Sequence, residues 1–311
     1  MTLATAGPGN LSHLPVELIP KIGADRDEGL KLTVRFFSGG PLAFRDLLDS
    51  NSDFAVAGAP ALADLRASGA PLVSIATVNR VPTFTLLVRQ DLHGQVKQVA
   101  DLSGRIIGVN TSSRGGRSTS QQLAEFILKR AGVAPDRVRF VPAGQSFAEQ
   151  NAAFVTKTID ALMGDEPFVS QLIEQGAGFA LIDLHDPEVC RRELGGLFLN
   201  AQLATRADVL RNRPELAQRM VRALAKTLAW IAAHDADEIA QKMHPEDDVK
   251  RRALAKALQK RKSIYSPDGA FTREQIAASE AFWRANQSNP QLRALRFDEM
   301  IDARFAGIRA R

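Results

Sequence analysis

Leu102-Ser103-Gly104-Arg105-Ile106-Ile107-Gly108-Val109-Asn110-Thr111-Ser112-Ser113-Arg114-Gly115-Gly116-Arg117-Ser118-Thr119-Ser120 passes from a turn through a short apolar strand into a polar loop. The strand is expected over Arg105 to Val109. Beyond the loop, Leu123, Phe126, Ile127 and Ala131 share one helical face, and Gly132 with Pro135 supplies the stop signal. A loop joining the carboxyl end of a strand to the amino end of a helix collects free backbone N–H groups and the positive end of the helix dipole. With Thr111, Ser112, Ser113, Ser118, Arg114 and Arg117 it also has donors suited to a carboxylate, sulfonate or phosphate. The plainer reading is a capped loop with solvated arginines. The patterns Gly-x4-Gly-Lys-Ser/Thr and Gly-x-Gly-x-x-Gly are both absent, so the loop gives no support to ATP or NAD.

Upstream the same alternation is already running. Strands are expected at Thr2 to Ala6, Leu32 to Phe37, Asp53 to Ala57 and Leu72 to Thr77, separated by single helices, one ending near Ile22, one carrying Phe44 and Leu47, one over Ala61 to Ser68. Such βαβ units build largely parallel sheets. Asn10 to His13, Ser38 to Gly40 and Gly58 to Pro60 follow strand ends, where open α/β sheets hold ligands, although glycines there also serve ordinary turns. His13 reads either as a donor to an anion or as a solvated loop residue.

Pro82 to Arg89 is a further strand-rich run, and strands near Arg137 to Val141, Ile159 to Met163, Phe179 to Leu184 and Leu197 to Ala204 follow. Asp165-Glu166-Pro167 is read as the opening of a helix, whose first turn favours acids and proline, rather than as an acid–base pair. From Asn212 onward the pattern is helical with no strand signal. A helical tail builds no sheet, so it is expected to pack on the first lobe. The lobes are then residues 1–88 with 200–311, and 89–199.

The chain has 311 residues, 45% hydrophobic and 24% charged, enough for a sizeable two-domain core and unlike a disordered chain. Its formal charge of +5 is diffuse, and the one basic concentration, Lys250 to Lys262, reads as the solvated face of an amphipathic helix, so no nucleic-acid partner is expected. A single cysteine, Cys190, excludes an internal disulfide and, with five scattered histidines, a Cys/His zinc cluster. No cofactor is expected. A Gly-x-Ser-x-Gly elbow is absent and no catalytic constellation is visible. Neither an 18-residue apolar run nor a signal-peptide pattern occurs.

Taken in order, Ser38-Gly39-Gly40, Asp53-Phe54-Ala55 to Pro60, Ala67 to Pro71, Leu102 to Val109, Ile159-Asp160-Ala161 with Glu166-Pro167, and Pro214-Glu215-Leu216 resemble the nitrate, sulfonate and taurine class of ABC-importer solute-binding proteins, which includes thiamine-precursor binders. Lys157-Thr158 stands where that class commonly has a glycine. The resemblance implies a type II periplasmic-binding fold, with two α/β lobes, a two-strand hinge and a ligand in the cleft between them. It also implies a removed leader, an extracytoplasmic monomer and ABC permease subunits as partners. Carried onto this chain, the cleft residues would be Asn10, Ser12, His13, Ser38, Gly39, Gly40, Gly58 and Ala59 from one lobe, and Thr111, Ser112, Ser113, Arg114, Ser118, Asp165 and Glu166 from the other. The expected ligand is a small anionic organic solute, a sulfonate or carboxylate; nitrate-like and neutral pyrimidine ligands stay open. The alternatives are an enzyme of this fold acting on a pyrimidine or small acid, and a cytosolic sensor.

Overall fold

The computed structural model describes residues 1–111 and 117–310. The chain begins with β1 (Thr2–Ala6), α1 (Leu14–Ile22), α2 (Ala24–Asp27), β2 (Thr33–Phe37), α3 (Gly40–Leu48), β3 (Phe54–Gly58), α4 (Ala59–Ala67) and β4 (Leu72–Thr77). It then crosses to β5 (Phe84–Arg89), β6 (Ile106–Val109), α5 (Thr119–Arg130), β7 (Arg139–Pro142), α6 (Phe147–Val155), β8 (Ala161–Asp165), α7 (Phe168–Glu174), β9 (Gly178–Asp183) and α8 (Pro187–Leu194). It returns through β10 (Ala201–Arg206) to a tail of α9 (Ala207–Asn212), α10 (Pro214–Ala233), α11 (Ala236–Met243), α12 (Asp248–Arg261), β11 (Phe271–Thr272), α13 (Arg273–Asn286), α14 (Pro290–Arg293) and β12 (Ile308–Arg309). None of the described helices is long and apolar enough to cross a membrane.

Two five-stranded sheets share one plan, β2-β1-β3-β10-β4 and β7-β6-β8-β5-β9. In each, four strands run the same way and the fourth in order is antiparallel to both neighbours. That antiparallel strand is the first one the chain forms after crossing over. This is the two-lobed α/β periplasmic-binding fold. Three expectations need correcting. β5 pairs in the second sheet, so the first crossing falls before Phe84 rather than at residue 88. The tail does contain strands, since two-residue β11 and β12 pair in parallel, too short to leave a periodic pattern. Nor does the tail serve the first lobe alone: α10 and α11 pack on α1, whereas α13 packs on both α4 and α5.

Amphipathic patterning explains that packing. Met220, Val221, Leu224, Leu228 and Ile231 on α10 are all buried in one core with Leu14, Val16, Leu18 and Ile19 of α1. A second core beneath α3 and α4 gathers Phe44, Leu62, Phe271 and Trp283. Trp283 is fully buried, and its indole N–H donates to the Leu292 carbonyl at 3.0 Å, so α13 carries both apolar bulk and a satisfied polar tip into the seam. Trp283→Ala removes that bulk and orphans a carbonyl. It is expected to cost about 3–5 kcal/mol of unfolding free energy, read as a lower urea midpoint. An unchanged midpoint would mean that the tail is not part of the cooperative unit.

Candidate functional site

The amino ends of four helices meet at one cavity between the two sheets. His13 is the residue before α1, Gly40 and Pro41 begin α3, Gly58 precedes α4, and Ser118 caps α5; all five line the same space, with about 450 Å³ of open volume including its mouth. Each helix follows a strand end, as the alternating sequence requires, so the fold itself aims four helix dipoles at one point, with the Ala59 N–H of α4 already taken by the Asn200 carbonyl and a proline as the second residue of α1, α3 and α4. Around them stand Asn10, Ser12, Asn110, Ser120, Gln145 and Asn200, all buried amides and hydroxyls. No arginine or lysine lines the cavity among the described residues.

Each wall is held by its own side chains. Asn10 accepts from the His13 N–H (3.1 Å) and donates to the Gly7 carbonyl (3.1 Å), shaping the first loop as a side-chain turn. The Ser118 hydroxyl accepts from the Gln121 N–H at 3.2 Å and meets Ser120 Oγ at 2.8 Å, while Ser120 Oγ accepts from the Asn110 N–H at 3.0 Å. Gln150 donates to Asn110 Oδ1 at 3.0 Å. The Thr119 side chain faces Gly58 so closely that a Cβ added at Gly58 would lie 1.8 Å from Thr119 Oγ1 and 2.8 Å from Thr119 Cβ. Glycine there is required by space, since its backbone is in the ordinary extended region.

The floor of the cavity joins the lobes. Ser12 of the first lobe donates to Asp165 Oδ2 of the second at 2.6 Å and also bonds Thr83, and Asn200 reaches Ser12, Thr83 and Asn79. Further bonds across the seam run from the Leu11 N–H to the Glu166 carbonyl (2.8 Å), from the Gly7 N–H to Gln145 Oε1 (3.0 Å) and from the Thr111 hydroxyl to the Ser38 carbonyl (2.9 Å). The lobes are therefore closed on each other.

Burial sets the ionisation of the walls. It pushes the Asp165 carboxyl up to about 7, outweighing the hydrogen bonds from Ser12 and Thr83, and it pulls the His13 imidazole down to about 4. Glu17, under the same loop, is raised by burial to about 7 against the Gly9 N–H. Near neutral pH His13 is uncharged. Its Nδ1 is buried without a partner.

Of the residues expected at the cleft, the cavity brings together Asn10, Ser12, His13, Gly40, Gly58, Ser118 and Asp165. Ser38, Gly39, Ala59, Thr111 and Glu166 do not line it: Ser38 lines the neighbouring groove, the Ala59 N–H is taken by the Asn200 carbonyl, and the Glu166 carboxylate holds the Ser170 N–H and hydroxyl. Ser112, Ser113 and Arg114 lie outside the described residues. Asp165 does not open a helix, as expected, but ends β8, because the helix begins only at Phe168. His13 is buried rather than solvated. Arg117 turns from the cleft to Glu125 (3.2 Å) and Gln122 (3.2 Å). One member of the basic helix face is not merely solvated either: Arg261 bonds Asp183 at 2.5 Å and approaches Glu166 at 3.6 Å. Gln145 and Asn200 were not anticipated. Gln145 sits just before the Ser146 cap of α6, and only that capping pattern hinted at its position.

Among the described residues no group of three His, Cys, Asp or Glu side chains is arranged to hold a metal ion. Among solved structures, a protein of Bordetella bronchiseptica RB50 superposes with a TM-score of 0.88 at 23% identity, over 98% of this chain and 95% of that one. The alkanesulfonate-binding protein SsuA from Xanthomonas axonopodis pv. citri, solved with MOPS, has a TM-score of 0.76 at 18% identity over 97% of each chain. A curated relative, the putative binding protein YtlA of Bacillus subtilis (strain 168), is 23% identical over 268 residues, 83% of this chain and 75% of that one. The model of the NMT1/THI5-like family matches residues 26–238, more than half of the sequence, and the chain belongs to that family.

Proposed function

We propose that this protein is the extracytoplasmic solute-binding receptor of an ABC importer, and that it captures a small organic anion, a sulfonate or carboxylate, by closing two lobes around it. The observation that carries the reading is the convergence of four helix amino ends on one cavity that no described Lys or Arg side chain lines. Oriented N–H groups and neutral hydroxyls bind an anionic head without bringing a hydrated cation into the site. Burial that raises the Asp165 carboxyl to about 7 lessens the negative charge facing the head near neutral pH, and His13 stays neutral as a hydrogen-bonding group. Support from relatives is of the same kind, since SsuA is named as an alkanesulfonate-binding protein and YtlA as a putative binding protein. Capture requires that the ligand bind the closed state better than the open one, and in the closed state the lobes are joined by the seam bonds from Ser12, Gly7 and Leu11. The closed monomer would present both lobes to permease subunits at the membrane.

Native mass spectrometry of the purified protein, followed by thermal-shift titration with alkanesulfonates, carboxylates and pyrimidines, tests this reading. Anions are expected to raise the melting temperature progressively with concentration. Stabilisation by a neutral pyrimidine alone would replace the anionic reading with a neutral one.

Closure itself is tested at Gly58. Gly58→Ala places a methyl into Thr119, so the chain is expected to fold with near-normal melting temperature, to scatter as a more open particle in solution, and to bind its ligand at least about tenfold more weakly. Restored affinity in the double variant Gly58→Ala, Thr119→Gly would assign the loss to that contact, whereas full affinity in the single variant would exclude it.

The raised carboxyl at Asp165 gives a pH dependence of definite sign. Between about pH 4 and about pH 7 this group is protonated in the closed structure and ionised in the unfolded chain, so its contribution to stability falls as pH rises through that window. Glu17 acts in the same direction, and His13, which must stay neutral, acts oppositely as pH falls below about 6.5. Asp165→Asn removes one of these slopes. Its melting temperature relative to the parent is expected to rise from acid toward pH 8, and parallel curves across that range would show that Asp165 is not held protonated.

A further inference from the structure

Away from the helix-lined cavity, and sharing no lining residue with it, a pocket of about 1160 Å³ including its open side lies against both chain crossings. Arg80 comes from the first crossing, Leu197 from the second, Arg191 from α8 of the second lobe, and Ser266, Gln275 and Arg309 from the tail. The tail reaches this place by pairing with the first crossing. Asn79 and Tyr265 oppose each other in an antiparallel bridge, flanked by bonds from the Arg80 N–H to the Ile264 carbonyl (2.7 Å) and from the Ser266 N–H to the Val78 carbonyl (2.9 Å). Successive side chains of extended backbone point to opposite faces. Asn79 and Tyr265 accordingly turn toward the cleft, where Asn79 Oδ1 accepts from Asn200 at 3.3 Å and the Tyr265 hydroxyl donates to the Leu11 carbonyl at 3.0 Å. Arg80 and Ser266 turn to the pocket on the other side.

The pocket wall carries more cation than acid. Arg191 is bonded to Glu274 at 2.9 Å and Arg309 to Asp268, the two acids of the wall, which leaves Arg80 over. Arg80 is exposed and within electrostatic range of Glu274, and among the described residues its guanidinium makes no hydrogen bond or ion pair. An exposed arginine is by itself ordinary, but the buried hydroxyl on the same wall is not. Ser266 is 2% exposed; its Oγ accepts from the Gly269 N–H at 2.9 Å, and its own proton meets no acceptor among the described residues.

We infer that this pocket is a second ligand site, for a small organic carboxylate, whose carboxylate takes the Arg80 guanidinium and the Ser266 hydroxyl while its carbon skeleton lies on Leu197, Pro267 and Ala270. Arg80 offers a planar fork of N–H donors that matches a carboxylate, and Ser266 adds a neutral donor. The apolar part of the wall favours an organic acid over a bare inorganic oxyanion, which leaves that surface unused. Occupancy bears on the hinge. The ligand holds Arg80 one residue from Asn79, and Gln275 on the pocket wall donates to the Asn79 carbonyl at 3.2 Å. A ligand on one side of the crossing therefore stiffens a strand whose other side carries the polar network of the cleft.

Hydrogen exchange of the full chain, read by mass spectrometry with succinate or inorganic phosphate as probe, tests the site. Succinate is expected to slow exchange of the amides over residues 78–80 and 264–269 saturably, by at least about threefold. Arg80→Gln, at an exposed position, is expected to keep the parent's melting temperature without probe and to need at least about tenfold more succinate for the same protection, with Arg80→Lys losing less. Inorganic phosphate is expected to protect these amides only at higher concentration than succinate. Absence of saturable protection by succinate would overturn the site. So would protection that persists in Arg80→Gln, the outcome if succinate acted from the cleft alone. Phosphate protecting as well as succinate would overturn the organic ligand class.

Discussion

A buried carboxyl at Asp165 hydrogen-bonded to Ser12 across the cleft is the contact on which the closed structure depends. Ser12 belongs to the first lobe and Asp165 to the end of β8 in the second, while Asn79, Thr83 and Asn200 come from the two chain crossings. One polar network therefore ties both lobes to both hinge segments. A buried network of this kind adds little stability when satisfied and costs much when broken, so it acts chiefly as a selector of one relative position of the lobes. The helix amino ends converge only in that position. Separation of the lobes would leave α5 on one side and α1, α3 and α4 on the other, and the potential that favours an anion would be divided.

The division of labour in the molecule follows from this. One apolar core runs from α1 and the first sheet into β5, β6, β8 and α5 of the second lobe, and the tail covers the seam at several points instead of completing only one lobe. Arg261, at the end of α12, joins Asp183 and Glu166 of the second lobe, and Lys256 reaches Glu174 at 2.8 Å. Charges on the tail thus add to closure beside the hinge, where partial exposure keeps each contribution modest. The polar network sets the register of closure, and the ion pairs support it.

Alternation of strand and helix was legible because it is written in local periodicity: β1, β4 and α5 emerge from spacing of apolar residues and from their stop signals. The loops at strand ends followed from topology, which is why Asn10, Ser12, His13, Gly40, Gly58 and Ser118 could be named from sequence. What was not legible depends on contacts distant in sequence. β5 is an apolar strand in either sheet, and only its pairing with β8 and β9 assigns it to the second. Asp165-Glu166-Pro167 has the composition of a helix start, yet pairing with Phe84 extends β8 through Asp165 and leaves Glu166 alone to serve the helix. The tail strands are two residues long and have no period to detect.

His13 shows how the same limit applies to chemistry. A histidine in a glycine-containing loop has no sequence feature that distinguishes solvation from burial, and its ionisation differs by the whole span between the two. In the structure the α1 amino end stands behind it and burial holds it neutral, so the residue that composition would count as a possible cation contributes no charge. Arg117, the described arginine nearest the cleft in sequence, is likewise turned outward to Glu125 and Gln122. Among the described residues, then, the bases that composition counts near these loops bring no charge to the cavity wall. Under the proposed reading, backbone direction, fixed by where each helix begins, adds a positive potential that does not titrate, because it is built into the fold.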